Sequence, residues 1–273
     1  MTSELPPSAH PRRAVFVLPS LLTVMNLFLG YFSVVQAFQG DFRTASLLIM
    51  LAGLLDKLDG LVARATGTTS EFGRELDSLA DVISFGVAPA FLSLAWGLHV
   101  VPKLGWAVAF LFLTCGVLRL ARYNVQAATA DRAWFVGLPI PVAAALPVTV
   151  IFSFTYRAPQ RALEDPLGAW AFLVLMVVAS FLMVSRVRYN ALKDLRFGRQ
   201  RRLLVLLASG AVVVSVAAWP AIALPALAAA YAVHGPALRL TRWHSDRHGT
   251  DPSPAVVPDA VLPDAVLPDE EES

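Results

Sequence analysis

Four aspartates lie within two otherwise apolar stretches of this chain. Asp56 and Asp59 are three residues apart, and Asp77 and Asp81 are four residues apart. A carboxylate at the centre of a membrane span costs roughly 2.5–3.5 kcal/mol, so such groups oppose insertion unless something binds them. Each spacing places its pair on one face of a helix. Two antiparallel helices are therefore predicted to present four carboxylates to one cavity.

The chemistry that suits such a cavity is the binding of hard divalent cations. Like charges at this distance repel one another unless cations neutralise them. Carboxylates favour Mg²⁺ or Mn²⁺, and two such ions are a known means of clamping phosphoryl oxygens during in-line displacement. Neighbouring residues fit a phosphate ligand, because Gly60 and Gly73 leave room for it, Ala63 keeps the next turn small and Arg64 offers a planar guanidinium. We predict two divalent cations as cofactors.

The elements that carry these residues are predicted from composition. The chain has 273 residues, of which 56% are hydrophobic and only 15% charged, and its apolar residues come in blocks long enough to cross a bilayer. This pattern predicts an all-α polytopic membrane protein with a six-helix catalytic core plus two further helices, and no nucleic-acid partner. We place eight spans, with six or seven as the alternative. They lie near residues 14–38, 43–65, 77–98, 104–126, 137–156, 167–185, 202–218 and 219–236, with the last two split at Trp219 and Pro220.

Basic residues predict the orientation of the spans. If the N-terminus is cytoplasmic, 17 of the 22 Lys and Arg residues fall in cytoplasmic segments. The opposite side then holds Arg43, Lys103, Arg157 and Arg161, and Lys57 lies inside a span. Because positive residues accumulate on the cytoplasmic side, both termini and the acidic cluster are predicted to face the cytoplasm.

The chain divides into three regions by composition. Residues 1–13 are predicted to be a cytoplasmic N-terminal segment, and residues 14–248 a membrane-embedded catalytic domain. Residues 249–273 are rich in proline, with seven acidic residues and no basic ones. That composition predicts a disordered cytoplasmic tail without a catalytic role.

The order of residues around the aspartates resembles a known signature. Asp56-x2-Asp59-Gly60-x2-Ala63-Arg64-x8-Gly73-x3-Asp77-x3-Asp81 is similar, without a gap or substitution, to the signature of the CDP-alcohol phosphotransferases, integral membrane enzymes of phospholipid synthesis. The resemblance implies that Asp56, Asp59 and Asp77 help to hold two metal ions. It also implies that Asp81 contributes to the metal site and deprotonates the acceptor alcohol. The CDP contacts implied by the resemblance are Gly60, Ala63, Arg64 and Gly73, together with Thr69 in the connector, and the family also implies a homodimer.

Flanking segments resemble one branch of that family, the membrane-spanning phosphatidylserine synthases. The segments are 22–27, 68–90, 118–124, 137–141 and 185–189. One departure is Ser20, which follows Pro19 where the family often has Asn. The branch implies transfer of the phosphatidyl group of CDP-diacylglycerol to L-serine, giving phosphatidylserine and CMP. It also implies a site at the cytoplasmic face of the cytoplasmic (inner) membrane.

Serine carries a carboxylate, so a cation is expected to meet it. The candidate acceptor contacts are Arg119 and Arg122, with Asn26 and Asn124 as polar companions. The two arginines also fit a simpler role as anchors at the cytoplasmic end of a span.

Three alternatives to serine transfer follow from the same residues. The acceptor alcohol could be glycerol 3-phosphate or inositol phosphate. An aspartate-rich membrane prenyltransferase would also bind a diphosphate through metals, but it needs a second Asp-rich motif that the sequence lacks. A cation transporter would need facing acids in an internal repeat, and the two halves of the chain show none.

Overall fold

A computed structural model describes residues 14–66, 70–128, 135–185, 187–189 and 199–247. The described residues are helical apart from one pair of two-residue strands. The helices are α1 (Ala14–Phe38), α2 (Phe42–Thr66), α3 (Glu71–Asp81), α4 (Ala88–Trp96), α5 (Pro102–Ala128), α6 (Ile140–Thr155), α7 (Pro166–Val184), α8 (Arg199–Ala218) and α9 (Pro220–Arg247). A π-helical turn (Val82–Val87) joins α3 to α4, and a 3₁₀ turn (Leu98–Val100) follows α4. The strands β1 (Phe135–Val136) and β2 (Arg188–Tyr189) pair antiparallel.

Helix starts are set by side chains that satisfy free backbone amides. Asp41 follows Gly40, which has a φ of 81°, and its Oδ1 accepts from the Thr44 amide at 3.0 Å. Ser70 caps α3 by accepting from the Gly73 amide at 3.0 Å. Asp165 caps α7 by accepting from the Gly168 amide at 2.8 Å. Short polar side chains therefore fix where three helices begin.

Helices pack closely because small residues line their contacts. Fully buried alanines occur on α2, α4, α6 and α7, and Ser33 of α1 donates to the Ala45 carbonyl of α2 at 2.9 Å. Small residues let helix backbones approach one another, as is usual between membrane helices. The α1–α2 pair has the most extensive contact of any two elements in the described chain.

The end of the bundle at the last turn of α4 is filled by a large aromatic side chain. Trp96 is 1% exposed. Its ring lies 5.6 Å from that of Phe154 and 5.0 Å from that of Phe172. The indole Nε1 donates to the Arg161 carbonyl at 3.0 Å. We call this arrangement the tryptophan plug.

The prediction of a helical protein with membrane-spanning segments is confirmed. Four helical segments of the described chain are long and apolar enough to cross a membrane: Ser20–Phe38, Glu71–Trp96, Pro102–Gln126 and Pro166–Val184. Ile140–Thr155 and Leu207–Ala218 are shorter apolar helices. The break predicted at Trp219 and Pro220 is confirmed, because α8 ends at Ala218 and α9 begins at Pro220.

Two predicted boundaries are wrong. The third segment was expected to begin near residue 77, yet α3 begins at Glu71, so Asp77 and Asp81 lie inside the helix. The cap at Ser70 is the physical reason, because it starts a helix on polar residues that hydropathy assigns to the connector. The last helix was expected to end near residue 236 and continues to Arg247. Residues 1–13 and 249–273, which carry the predicted segment and tail, are outside the described chain.

Candidate active site

Three carboxylates from two helices meet in one place. Asp56 and Asp59 lie near the end of α2, and Asp77 lies in α3. Each offers one oxygen, and these oxygens all lie within 4.8 Å of one another. Asp59 is only 5% exposed, and the other two are partly buried. The prediction that the two helices direct these acids to a common point is therefore realised in the fold.

Asp81 is the fourth member of the cluster, one helical turn beyond Asp77. Its carboxyl group is a hydrogen-bonding neighbour of Asp56, although it lies outside the group of three. Asp81 is 9% exposed, and its Oδ1 has no hydrogen-bond partner within the described residues. The Oδ1 of Asp77 is also buried and has no hydrogen-bond partner within the described residues. Buried carboxylate oxygens without donors are costly, so each is an available ligand.

A buried arginine side chain lies beside Asp81. Arg119 of α5 is 9% exposed and interacts electrostatically with Asp81. Its guanidinium carbon lies 5.6 Å from the centroid of the Tyr123 ring, a cation–π contact. Lys57 is exposed although it neighbours Asp56 in sequence. One buried guanidinium against four acids leaves excess negative charge, and oxygen-only donors of this kind suit hard divalent cations.

Two hydroxyl groups that sequence reasoning missed position the cluster. Thr23 of α1 donates from Oγ1 to Asp59 Oδ2 at 3.3 Å. Ser84 of the π-helical turn donates from Oγ to the Asn26 carbonyl at 2.9 Å. These bonds attach α1 to both acid-bearing helices. A signal existed in the sequence, since Thr23, Asn26 and Gly30 are spaced by three and four residues and so share one face of α1.

Gly30 brings the π-helical turn close to α1. A Cβ at this position would lie 2.7 Å from the Ser84 Cα, closer than side-chain carbons are found. The backbones therefore touch at Gly30 one turn beyond Asp81. Because π-helical turns are uncommon and concentrate at functional sites, this turn is further support for a functional site at the acid cluster.

The predicted CDP contacts flank the acids in the chain. Gly60 follows Asp59 on α2, and Gly73 lies in the first turn of α3 with its amide held by Ser70. Ala63 and Arg64 belong to the last turns of α2, but their side chains are outside the described part of the structure, as is the whole of Thr69.

The four predicted acceptor contacts separate into two pairs. Asn26 and Arg119 are both buried; the Asn26 backbone carbonyl accepts from Ser84, and Arg119 lies next to Asp81. Asn124 donates from Nδ2 to Ser78 Oγ at 2.9 Å, and thus joins α5 to α3. Arg122 donates from Nη1 to the Val184 carbonyl at 3.4 Å at the end of α7.

Comparison with known proteins agrees with this site. The sequence model of the family described as CDP-alcohol phosphatidyltransferase matches residues 16–181, a range that contains all four aspartates and Arg119. A Helicobacter pylori CDP-diacylglycerol–serine O-phosphatidyltransferase is 39% identical over 198 residues, covering 72% of this chain and 81% of the relative.

Two further relatives, from other organisms, have related names. A Bacillus subtilis CDP-diacylglycerol–serine O-phosphatidyltransferase is 32% identical over 187 residues, 67% of this chain and 97% of the relative. An archaetidylserine synthase of Methanothermobacter thermautotrophicus is 42% identical over 176 residues, 63% of this chain and 69% of the relative. With a clustered acid quartet in the matched range, the chain belongs to the CDP-alcohol phosphatidyltransferase family.

Proposed function

We propose that this protein transfers the phosphatidyl group of CDP-diacylglycerol to the hydroxyl of L-serine, releasing CMP. The observation that carries the proposal is the convergence of three carboxylates from α2 and α3, with Asp81 as their neighbour, within a membrane-embedded helical protein. Serine is favoured as the acceptor because the names of three relatives, from two bacteria and an archaeon, all refer to serine or a serine lipid.

The acids would hold the divalent cations, Mg²⁺ or Mn²⁺. Asp56, Asp59 and Asp77 would be ligands because their oxygens already approach one another within 4.8 Å, and Asp81 would contribute from its position beside Asp56. When bound, the ions would polarise the diphosphate and stabilise the departing CMP. Gly60, Ala63, Arg64, Thr69 and Gly73 would contact the CDP part of the lipid.

Asp81 would act as the general base. As the serine Oγ forms a bond to the phosphorus that carries diacylglycerol, its proton passes to the Asp81 carboxylate. The bond from that phosphorus to the CMP oxygen breaks at the same time, and CMP leaves. The Oδ1 of Asp81 has no hydrogen-bond partner within the described chain, so it is available to accept this proton.

Arg119 would bind the serine carboxylate. Its position beside Asp81 suits a substrate in which the hydroxyl and carboxylate are separated by two carbons. Arg122 and Asn124 each hold a contact between helices, so we place them in the wall of the acceptor pocket. Their contacts would keep the ends of α3, α5 and α7 together around Arg119.

We further propose eight spans with both termini and the active site on the cytoplasmic side of the inner membrane, and a homodimer as the assembled form. The acid cluster brings together Thr23 of α1, the end of α2, the last turns of α3 and Arg119 of α5, which supports a single membrane face for the site. Most basic residues lie in segments on that side.

An acceptor panel tests the proposal. Purified protein in detergent is given CDP-diacylglycerol and Mg²⁺ or Mn²⁺, and CMP release is measured with L-serine, glycerol 3-phosphate, inositol phosphate or no acceptor. Release should depend on the metal and on L-serine. Equal release in all four samples would remove serine as the acceptor, and release that only glycerol 3-phosphate or inositol phosphate stimulates would reassign the substrate within the family.

A further inference from the structure

Asn26 is a fully buried amide without a hydrogen-bond partner. It is 0% exposed, and neither its Nδ2 nor its Oδ1 has a partner among the described residues. Buried polar side chains normally satisfy their donors and acceptors, because an unpaired group loses its bonds to water without compensation. An amide without partners inside a helical bundle is therefore available to form a hydrogen bond with a ligand.

The contacts around Asn26 connect its stretch of α1 to the acid-bearing segments. One turn before it on α1, Thr23 donates to Asp59, and its own carbonyl accepts from Ser84, one turn beyond Asp81. Side chains on a helix tilt toward the N-terminus of that helix. The α1 N-terminus lies on the side of Thr23, whose hydroxyl donates to Asp59, so we expect the Asn26 side chain to lean toward that end of α1 and away from Gly30.

The polar groups of L-serine can be assigned to residues in turn. Under the proposed function, Asp81 faces the hydroxyl and Arg119 faces the carboxylate. The ammonium group then needs a hydrogen-bond acceptor that metal ions do not occupy. Asn26 supplies a neutral carbonyl oxygen one helical turn from Thr23, the residue that contacts Asp59, whereas the carboxylates of the cluster are committed to metals and to the proton.

We propose that Asn26 recognises the ammonium group of the acceptor amino acid, and that it thereby sets the preference of the enzyme for L-serine over its mirror image. The proposal rests on the proposed function and names the feature of the acceptor that the site selects. With Asp81 and Arg119 it provides three contacts to the groups around the serine α-carbon, the number needed to distinguish two enantiomers.

Substitution of Asn26 by leucine tests the proposal with little loss of volume. Initial rates of CMP release are measured for wild type and Asn26→Leu with L-serine, D-serine, 3-hydroxypropionate, which lacks the amine, and ethanolamine, which lacks the carboxylate. Wild type should prefer L-serine over 3-hydroxypropionate by a large factor, since sites built to bond a polar group reject analogues without it by up to about 10⁴–10⁵-fold. In Asn26→Leu, kcat/KM for L-serine should fall about 100-fold or more while the value for 3-hydroxypropionate changes less than about threefold. The ratio of L-serine to D-serine should approach one.

Ser33→Ala is the matched control. Ser33 is a fully buried polar residue on the same face of α1, two turns further from the acids, and it donates to the Ala45 carbonyl. Its loss should leave every acceptor ratio unchanged. Thermal unfolding is recorded for all variants, with Asn26→Ala as a smaller substitution. Because leucine removes an unpaired amide from the interior, Asn26→Leu should unfold at the wild-type temperature or above it.

Two results would overturn the inference. If both Asn26 variants lower the rates with L-serine and 3-hydroxypropionate by the same factor, Asn26 does not recognise the amine. An unchanged ratio of L-serine to D-serine would exclude the stereochemical role. Wild-type protein that gives no CMP above the acceptor-free rate with L-serine would instead contradict the proposed function, and the inference would fall with it.

Discussion

The four aspartates differ in their immediate surroundings, and this difference separates their proposed roles. Asp56, Asp59 and Asp77 share the oxygen cluster. Asp81 lies at its edge, near Arg119. A residue at the edge of a metal site can reach a substrate that the central ligands cannot. The acids should therefore respond differently to the same conservative substitution.

Asp81→Asn should lower turnover by about 10²–10⁴-fold, the usual contribution of a general base. It should leave metal-dependent binding of the CDP-lipid largely intact, because the three clustered acids remain. Asp56→Asn is the matched variant and should lose both binding and turnover. Two measurements distinguish the Asp81 and Asp56 variants. One is equilibrium binding of CDP-diacylglycerol with and without a chelator, and the other is CMP release. If Asp81→Asn also abolishes metal-dependent binding, Asp81 is principally a ligand.

Thr23→Val should weaken metal activation without unfolding the protein. The substitution keeps the shape of the side chain and removes the donor that orients Asp59. Partners of metal-binding carboxylates typically contribute about 10–100-fold to metal affinity, so the Mg²⁺ or Mn²⁺ concentration for half-maximal rate should rise within that range. Thr114→Val is the control, since its hydroxyl bonds within α5 to the Phe110 carbonyl. Equal metal titrations for Thr23→Val and wild type would show that the bond does not position Asp59.

The spacing of the acids was sufficient to predict their convergence, but their partners were not predictable. A threonine in an apolar helix commonly bonds to its own backbone, as Thr149 and Thr155 do here. The face that Thr23 shares with Asn26 and Gly30 marks it as unusual, but the local sequence cannot identify its partner, because Asp59 is 36 positions away. Asn124 illustrates the opposite case, since its polarity suggested substrate binding and the fold pairs it with Ser78.

At the scale of elements, the contact between α1 and the π-helical turn controls where Asp81 lies. Gly30→Ala would press a methyl group against the Ser84 backbone. Overpacking of this kind costs about 1–3 kcal/mol. We expect a lower unfolding temperature and a lower rate, because the turn after Asp81 must move away from α1.

Gly210→Ala is the matched control for that variant. Gly210 lies within α8, and nothing stands within 4 Å of the Cβ that alanine would add. Alanine is also the better helix former, by about 1 kcal/mol. Thermal unfolding in detergent and CMP release are measured for both. A Gly30→Ala protein as stable and active as Gly210→Ala would mean that close approach at Ser84 is not needed.

Hydropathy was sufficient to predict the positions of the helices, whereas the places where one helix begins or joins the next depend on local hydrogen bonds and packing. Apolar blocks predicted the approximate place of each long helix. The start of α3 at Glu71 was missed because polar residues capped by Ser70 carry no membrane signal. The π-helical turn at Val82–Val87 was also missed, because an i→i+5 hydrogen-bond pattern is favoured by packing between helices and has no clear sequence signature.

At the scale of the whole molecule, the predicted orientation can be measured with thiol labelling. Cys115 is the single cysteine of the chain and is buried, so Cys115→Ser gives a cysteine-free background. In it, Glu71→Cys at the exposed start of α3 should react with a membrane-impermeant maleimide from the cytoplasmic side. Gln160→Cys, at an exposed position between α6 and α7, should react from the other side. The reversed pattern would contradict the orientation.

The position of the tryptophan plug bears on which membrane leaflet would receive the product of the proposed reaction. Trp96 and its aromatic neighbours fill the end of the bundle reached by α4, while the acids lie at the other end of the same continuous segment, Glu71–Trp96. Among the described residues, the buried Trp96 indole and its two aromatic neighbours occupy the end of this segment opposite the acids. Newly made lipid would therefore enter a single leaflet, and its appearance in the opposite leaflet would require a separate lipid-translocating protein.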